Sequence, residues 1–271
     1  MKGLSEESSP LAIAAALRQR LRVRAHTFGS WVSIGHPEIA SLFASGEGHF
    51  VGVDLEHTTT ELSAVQHIIR ACHEQRRACL VRISPGHLEQ IQRVLDAGAD
   101  GIIVPQISSV AQIDHIAAAV RYPPDGSRSY GVAAAHRYGR AFDAYVQSAN
   151  ASLSLTIQIE TSEGVQRVGE LVAHPAVDGV MVGPYDLSGS MGIPGQLADS
   201  RVRAACALVA EACAKTSKGC GLHLVRPSVE SMQVEFARGF TFLVLGSDVF
   251  TLWQRGLEVD EMIRACTGSL E

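Results

Sequence analysis

Short apolar runs alternate with longer amphipathic spans along most of this chain. From Thr27 onward, each apolar run is followed by a polar or glycine-containing turn, and then by a stretch with the apolar spacing of a helix. Unbroken apolar runs of this length indicate strands that are buried on both faces, as in a parallel sheet. The runs cover residues 27–34, 50–53, 78–83, 101–104, 153–159, 179–182, 220–224 and 240–245.

Helical spans separate these predicted strands. They lie near residues 37–45, 60–75, 87–97, 109–119, 162–173, 199–216, 227–238 and 249–264. After the fourth span come an irregular insert, RYPPDGSRSYGVAAAHRYGR, and a short helix near residues 141–149. Eight alternating strand–helix units predict parallel strands with right-handed crossovers, and hence a single α/β (β/α)8 TIM barrel. A doubly wound sheet is the alternative, but it would require a glycine-rich phosphate loop after the first strand, and GHPE at Gly35 is not one.

Residues 1–26 are predicted to form an N-terminal capping segment, and residues 27–271 the barrel. A helix is expected to begin near Ser9-Pro10, because proline suits the first turn of a helix. Its apolar stretch, residues 11–17, follows acidic residues and precedes no small-residue cleavage site, so we interpret it as a cap and not as a signal peptide. No apolar run approaches the ~20 residues of a membrane span, and no membrane association is expected.

The composition changes this picture little. The 271 residues are 46% hydrophobic and 19% charged, with a net charge of −5, so no nucleic-acid partner is expected. The six cysteines form no CxxC pair and no zinc-type cluster with histidine. They predict free thiols in a reducing cytoplasm.

Polar side chains follow the ends of the predicted strands, whereas the strand starts carry almost none. Active sites of (β/α)8 enzymes lie at the carboxyl ends of the strands. This asymmetry therefore predicts an enzyme. The residues at these ends are Asp54, Glu56, His57, Arg82, Pro105, Gln106, Gln158, Glu160, Asp186, His223, Gly246, Ser247 and Asp248.

Two carboxylates end neighbouring buried strands, Glu160 after the fifth run and Asp186 after the sixth. A carboxylate without a partner in such a place is costly. A shared Mg²⁺ or Mn²⁺ would compensate it, with waters or substrate oxygens completing the coordination. Gln158 lies two residues before Glu160, so both side chains point to the same side of the strand, and Gln158 could hydrogen-bond a ligand oxygen. The alternative is that both acids cap the helices that follow.

Arg82 and His57 are the next candidates. The guanidinium fork of Arg82 fits a carboxylate, which could belong to an α-keto acid substrate or, structurally, to Asp54, Glu56 or Asp96. His57 follows two acids and could act as a base oriented by Asp54, although an isolated histidine is more often structural.

Two further features concern the substrate. The only lysines are Lys2, Lys215 and Lys218, none at a strand end, which argues against a Schiff-base mechanism. Carbanion chemistry would then need a metal as electron sink. The turn of Gly183, Pro184, Tyr185 and Asp186 could present backbone amides to a carboxylate, and His223 is expected to face the same site.

Taken together, the stretches VGVDLEHTTTEL, VRIS, VLDAGADGIIVPQISS, RYPPDGSRSYG, IQIET and VMVGPYDLSGSMG resemble the HpcH/HpaI aldolase family. The resemblance runs from about residue 27 to residue 250. Members include 4-hydroxy-2-oxoheptanedioate aldolase and 2-keto-3-deoxy-L-rhamnonate aldolase. The resemblance implies a class II aldolase that reversibly cleaves a 4-hydroxy-2-oxo acid to pyruvate and an aldehyde through a metal-bound enolate.

The resemblance also implies roles for single residues. Glu160 and Asp186 would bind Mg²⁺, Mn²⁺ or Co²⁺, with no organic cofactor. Arg82, Gln158 and residues 183–186 would hold the pyruvyl group, and His57, oriented by Asp54, would move the proton of the 4-hydroxyl. Asp96 would come from a neighbouring subunit or support the site at a distance. The family state is a hexamer, a trimer of dimers, in which the helix at residues 248–264 would be exchanged.

This chain departs from the family pattern on the side of the second substrate. Leu55 replaces a glycine, residues 58–60 are all threonine, and His223 replaces an apolar residue. The insert at residues 129–140, which would border the aldehyde, lacks an arginine-rich pattern. The resemblance therefore predicts the pyruvate half and leaves open a citramalyl- or malyl-CoA-type lyase, a decarboxylating or C–C bond-forming relative, or a barrel that only binds keto acids.

Overall fold

Eight parallel strands, one for each apolar run, close into a barrel in a computed structural model that describes residues 10–267. Each strand pairs with the next along the chain, and β1 pairs with β8 to complete the ring. The predicted (β/α)8 fold is confirmed. The strands are β1 Thr27–Val32, β2 Phe50–Asp54, β3 Ala78–Arg82, β4 Gly101–Val104, β5 Ser154–Ile159, β6 Gly179–Val182, β7 Gly219–Leu224 and β8 Phe242–Ser247.

Helices follow the strands as the alternation predicted, and a short 3-10 turn, Ala134–His136, lies in the insert. The described helices are α1 Pro10–Arg22, α2 Pro37–Ala44, α3 Leu62–Glu74, α4 Leu88–Ala97, α5 Val110–Val120, α6 Phe142–Ser152, α7 Ser162–Gln166, α8 Val168–Ala173, α9 Pro184–Ser190, α10 Ser200–Lys215, α11 Val229–Ala237 and α12 Asp248–Thr267.

Three local expectations differ from the structure. The span at residues 162–173 is two helices, because the chain leaves helical geometry at Arg167. A helix start was expected at the turn of residues 183–186, and helix α9 already begins inside it; its proline stands at the first helical position, which needs no N–H donor. The last strand begins at Phe242 and not at residue 240, because Gly239 turns the chain with φ of +92° and Thr241 first bridges β1 and β7.

Helix α1 closes the amino-terminal end of the barrel. Leu17 and Leu21 pack with the apolar side chains of the barrel interior, which include Phe50, Leu80 and Phe242. Asp178, at the start of β6, accepts a hydrogen bond from Arg18 at 2.9 Å. The predicted cap therefore starts at Pro10 among the described residues, and Ser9 lies outside them. The division of the chain at residue 26 stays a prediction.

The insert lies against the outer helices near the amino-terminal end of the barrel. Arg128 donates to Asp96 on α4 at 2.6 Å and stacks over the ring of Tyr122 at 4.5 Å. Gln66 and Arg70 on α3 donate to the Tyr138 hydroxyl. Within one chain, therefore, the insert lies away from the carboxyl ends of the strands, and the expectation that residues 129–140 border the aldehyde stays a prediction for the assembled oligomer.

The six cysteines are free, five of them buried, with Cys266 exposed. No helix among residues 10–267 combines the length and apolar character needed to cross a membrane.

Candidate active site

A cavity of about 230 Å³ at the carboxyl ends of the strands brings most of the predicted residues together. Neighbouring β-strands end at one rim, so side chains distant in sequence meet there. The wall contains Arg82, Gln158, Gly183, Pro184, Tyr185, Asp186 and His223, with Trp31, Met181, Val182, Leu197 and Val225.

Glu160 lies directly beside this cavity and is held by its neighbours. Its Oε1 accepts the backbone N–H of Gln106 at 2.8 Å, and its Oε2 accepts the side-chain amide of Gln158. Gln106 has φ of +58°, a left-handed conformation uncommon for a residue with a side chain. The carboxylate also packs on Gly183, where an added Cβ would stand 2.6 Å from Oε2. The β6–α9 turn is thus shaped around Glu160.

The pKa of Glu160 is raised to about 7. Burial is the main cause, and the negative charge of Glu56 adds to it; hydrogen bonds from Gln106 and Gln158 oppose the shift, and Asp186 contributes in the raising direction. A carboxyl in this environment gains stability from a nearby cation.

The donor set fits a hard divalent cation. Glu160 is not a helix cap, since Thr161 caps α7, and Asp186 lies inside the first turn of α9, whose N-cap is Gly183. The Gln158 Oε1 is buried without a hydrogen-bond partner. Among residues 10–267, no group of three His, Cys, Asp or Glu side chains is arranged to hold a metal ion by itself. Two carboxylates and an amide oxygen, with positions left for water and substrate, match the preference of Mg²⁺ or Mn²⁺.

Arg82, at the end of β3, is held by the acids of β2. Its Nε donates to Asp54 Oδ1 at 2.9 Å and its Nη2 to Oδ2 at 2.8 Å, a two-point pairing. Its Nε is also 3.2 Å from Glu56 Oε2, and its guanidinium lies 5.0 Å from the Trp31 ring centroid. Burial would raise the pKa of Asp54, but the bonds and charge of Arg82 hold it below its usual value. The structural partners considered for Arg82, Asp54 and Glu56, are therefore present.

The structure differs from the expectation for His57 and Asp54. Asp54 Oδ1 accepts the backbone N–H groups of Glu56 and His57, at 3.0 and 3.4 Å, and both Asp54 oxygens bind Arg82. The acid nearest the imidazole is Glu56, whose Oε2 lies 3.6 Å from His57 Nε2. The His57 side chain is 64% exposed at the rim. Asp54 thus orders the loop that carries His57 and does not touch its ring.

Glu56 is the residue that the sequence analysis undervalued. Its side chain is 6% exposed, and burial raises its pKa despite the opposing charges of Arg82 and His57. The charges of Asp54 and Asp186 act on it as well. The available signal was its position two residues after Asp54, which places both side chains on the same side of β2. That spacing does not reveal which partner a side chain reaches.

Other candidates lie elsewhere. Asp96, on α4, accepts a hydrogen bond from Arg128 of the insert and does not reach the mouth of its own barrel. Asp248 accepts the backbone N–H groups of Ser33 and Ile34, at 3.0 and 2.7 Å, and so ties the start of α12 to the end of β1. Its role here is structural.

Known proteins of one family are similar to this chain over most of its length. The profile of the HpcH/HpaI aldolase/citrate lyase family matches residues 27–254. A hydroxypyruvate/pyruvate aldolase of Paraburkholderia phytofirmans is 31% identical over 258 residues, which cover 92% of this chain and 97% of the relative.

Solved structures agree with this match. A protein of the same family from Burkholderia cenocepacia J2315 has a TM-score of 0.86 and 27% identity, covering 92% of this chain and 99% of the other. The citrate synthase SbnG has a TM-score of 0.79 and 27% identity, covering 93% and 98%.

Proposed function

This chain belongs to the HpcH/HpaI aldolase/citrate lyase family, and is thus a carbon–carbon lyase; we propose that it reversibly cleaves a 4-hydroxy-2-oxo acid to pyruvate and an aldehyde. The observation that carries the proposal is the cavity at the carboxyl ends of the strands. There Arg82, Gln158 and the turn at residues 183–186 meet beside the buried carboxylate of Glu160.

The cavity offers donors for both ends of a small keto acid. Arg82 uses its Nε and one Nη2 hydrogen on Asp54, which leaves the rest of its guanidinium to face a keto-acid oxygen. In the β6–α9 turn the N–H of Gly183 bonds to Ile159, and Pro184 has none. The amides of Tyr185 and Asp186 therefore remain to bind the carboxylate.

Glu160 and Asp186 would hold the divalent ion, next to the amide oxygen of Gln158. When bound, such an ion polarises the 2-oxo group and stabilises negative charge as the C–C bond breaks. Arg82 contributes positive charge at the same place, fixed in advance by Asp54, so it needs no rearrangement during the reaction.

The proton of the 4-hydroxyl would move to His57. This imidazole is at the exposed rim, where the aldehyde half must leave, and the Glu56 carboxylate lies 3.6 Å from its Nε2. Asp54 keeps His57 in place through the backbone of the loop.

The assembled enzyme would be a homo-oligomer, a hexamer by analogy with the family. Asp96 does not reach the mouth of its own chain, so its proposed contribution is to the site of a neighbouring copy. We also propose a cytoplasmic location, which a fractionation experiment can test.

The test is release of pyruvate from a 4-hydroxy-2-oxo acid, followed with lactate dehydrogenase, in the presence of Mg²⁺ or Mn²⁺. We expect turnover that EDTA abolishes and that Glu160→Gln and Asp186→Asn reduce to background, since each removes one negative ligand. Full activity in EDTA, or in either variant, would contradict the proposed metal site.

A second function has one observation in its favour, the similarity to the citrate synthase SbnG. In this case the same site would join the keto acid to a second carbonyl compound instead of cleaving an aldol. Product analysis separates the two, because net synthesis consumes the keto acid without releasing an aldehyde. The citramalyl- or malyl-CoA-type alternative would show as carbon–carbon cleavage of a hydroxyacyl-CoA thioester, which releases acetyl-CoA and a 2-oxo acid.

A further inference from the structure

His223 forms part of the cavity wall and is not used in the chemistry described above. It is the fifth residue of β7, and its ring lies between two aromatic rings: the centroid of Trp31 is 6.2 Å away and that of Phe250 is 6.5 Å away. Trp31 also carries the Arg82 guanidinium on its ring. Trp31 thus lies next to both His223 and Arg82, the residue that we propose to hold the keto acid.

The hydrogen bonds of the imidazole define which nitrogen is available. The Gly246 backbone acts on the ring and favours a proton there, whereas the Nε2 atom is buried without a hydrogen-bond partner. The proton of the neutral ring is therefore assigned to Nδ1, the nitrogen left to serve Gly246. In the neutral ring this leaves Nε2 as an acceptor.

The surroundings favour the neutral form. Burial lowers the pKa of His223, and the charge of Arg82 lowers it further; the Gly246 bond and the Asp54 charge only partly oppose this. Among the described residues, no side-chain or backbone donor is hydrogen-bonded to Nε2, although Trp31, Gln158 and Tyr185 of the same wall carry N–H or O–H groups. A buried acceptor left unpaired costs about 1–3 kcal/mol, so its presence in a binding cavity calls for a partner.

We propose that His223 Nε2 accepts a hydrogen bond from a hydroxyl group of the substrate and thereby makes the site prefer hydroxylated substrates. The inference rests on the proposed aldolase function and names a substrate feature within it. Leu197 and Val225 at the edge of the cavity are 45% and 40% exposed, so neither is fixed within a packed core.

The experiment compares substrates that differ by one hydroxyl. Hydroxypyruvate is paired with pyruvate, and glycolaldehyde with acetaldehyde, using the Mn²⁺-loaded enzyme. We expect wild type to favour the hydroxylated member of at least one pair in kcat/KM. In His223→Leu this preference should fall about tenfold or more, because the lost hydrogen bond leaves the hydroxyl without a partner.

Two variants serve as controls. His223→Gln keeps a side-chain oxygen acceptor and should retain part of the preference. His67→Leu makes the same change at an exposed position of α3 and should leave the preference as in wild type. If both ratios in His223→Leu stay within twofold of wild type, the proposal is wrong.

A readout on the wild-type protein needs no substitution. In ¹⁵N-histidine spectra the Nε2 resonance of His223 should move upfield on addition of the hydroxylated ligand and not of its partner. Calorimetry of the same ligands decides the matter even if no aldol turnover is found, in which case the proposed function alone fails. Equal affinities and an unmoved resonance would overturn the role of His223.

Discussion

At the scale of single residues, the absence of a side chain at Gly183 shapes this site. Gly183 has an ordinary φ of −103°, so its backbone does not require glycine. What requires it is Glu160, whose Oε2 would be 2.6 Å from an added Cβ, with Gln158 Nε2 at 3.0 Å. The first contact is closer than packed atoms allow and the second is at the limit, and both belong to side chains that we propose to hold the metal and the keto acid.

Gly183→Ala should therefore reduce kcat/KM strongly while the protein stays folded. The added methyl displaces the Glu160 carboxylate, and a displacement near 1 Å in a catalytic group can cost about 10²-fold. The measurement is steady-state pyruvate release together with a thermal melt. Gly189→Ala is the matched control on α9, because nothing lies within 4 Å of its added Cβ. Equal activity of the two variants would show that Glu160 need not sit against the turn.

Arg82→Ala should lower kcat/KM by about 10²–10³-fold, which corresponds to about 3–4 kcal/mol for a lost oxyanion-type contact. Arg82→Lys should recover only part, since an ammonium cannot make the two-point pairing with Asp54. The exposed Arg203 on α10 provides the control substitution. Retention of wild-type kcat/KM in Arg82→Ala would leave Arg82 as a purely structural partner of Asp54.

At the scale of elements, a buried ion pair joins α3 to the β3–β4 region. His73 Nε2 lies 2.8 Å from Asp100 Oδ2, which also accepts the Cys79 N–H at 2.7 Å. Burial alone would lower the pKa of His73, but the charge of Asp100 and their hydrogen bond raise it overall. Because the folded-state pKa is raised, the added stability is fully present below the unfolded pKa of about 6.5. It is lost as the pH rises through the folded-state pKa.

The difference in unfolding free energy between wild type and His73→Gln should thus be larger at pH 5.5 than at pH 9. At the higher pH it should fall towards the ~1 kcal/mol of a neutral hydrogen bond. Urea unfolding at both pH values measures this. His67→Gln, at an exposed position of α3, should show no such change. A difference that does not vary with pH would mean that His73 is uncharged in the folded protein.

Helix α12 is the element most clearly without a partner in its own chain. After Asp248 its residues are exposed or only partly covered, and several are large and apolar: Val249, Leu252, Trp253, Leu257, Val259, Met262 and Ile263. An apolar patch of this kind indicates a protein interface. It agrees with the predicted exchange of this helix between subunits.

Leu252→Asp combined with Val259→Asp, seven residues apart and hence on one face of α12, should reduce the particle mass in light scattering. The new charges would have to be buried in the interface. Gln254→Asp adds a charge at a polar position of the same helix and should leave the mass unchanged. An unaltered mass in the double variant would argue against an interface formed by this face.

Across the whole molecule, charge converges on one end of the barrel. Asp54, Glu56 and Glu160 all act on one largely covered arginine, Arg82, and Glu56 and Asp186 both raise the pKa of Glu160. The opposite end is closed by α1 and by the arginines on Asp178. The excess of negative charge at the mouth would be compensated by the cation that we propose to bind there.

Mn²⁺ or Mg²⁺ should therefore stabilise the folded protein. At a hundredfold excess over Kd the gain is about 2.7 kcal/mol, or roughly 5 °C in Tm for a chain of this size. Differential scanning calorimetry with and without the ion tests it. Glu160→Gln should lose most of the shift while its Tm without the ion stays the same or rises, because a buried charge has been removed. An equal shift in this variant would place the ion elsewhere.

Much of this architecture could be predicted from local pattern. The eight strands follow from apolar runs, and parallel strands bring their carboxyl ends to one rim, so Gln158, Glu160 and Asp186 could be assigned to one region. The extent of helix α9 was not predicted, although a helix start was, because its glycine- and proline-containing sequence is as typical of a turn. The start of β8 was missed because the turn at Gly239 depends on contacts with β1 and β7.

The sequence by itself determined the barrel, the end of it that holds the site, and the residue types gathered there, because hydrophobic periodicity and strand order are properties of neighbours along the chain. Only the tertiary structure decided which groups touch. It showed that Asp54 holds Arg82, that Glu56 is the acid beside the His57 ring, and that His223 has a nitrogen without a partner. Such pairings depend on side-chain directions and burial across strands far apart in sequence, which no local pattern records.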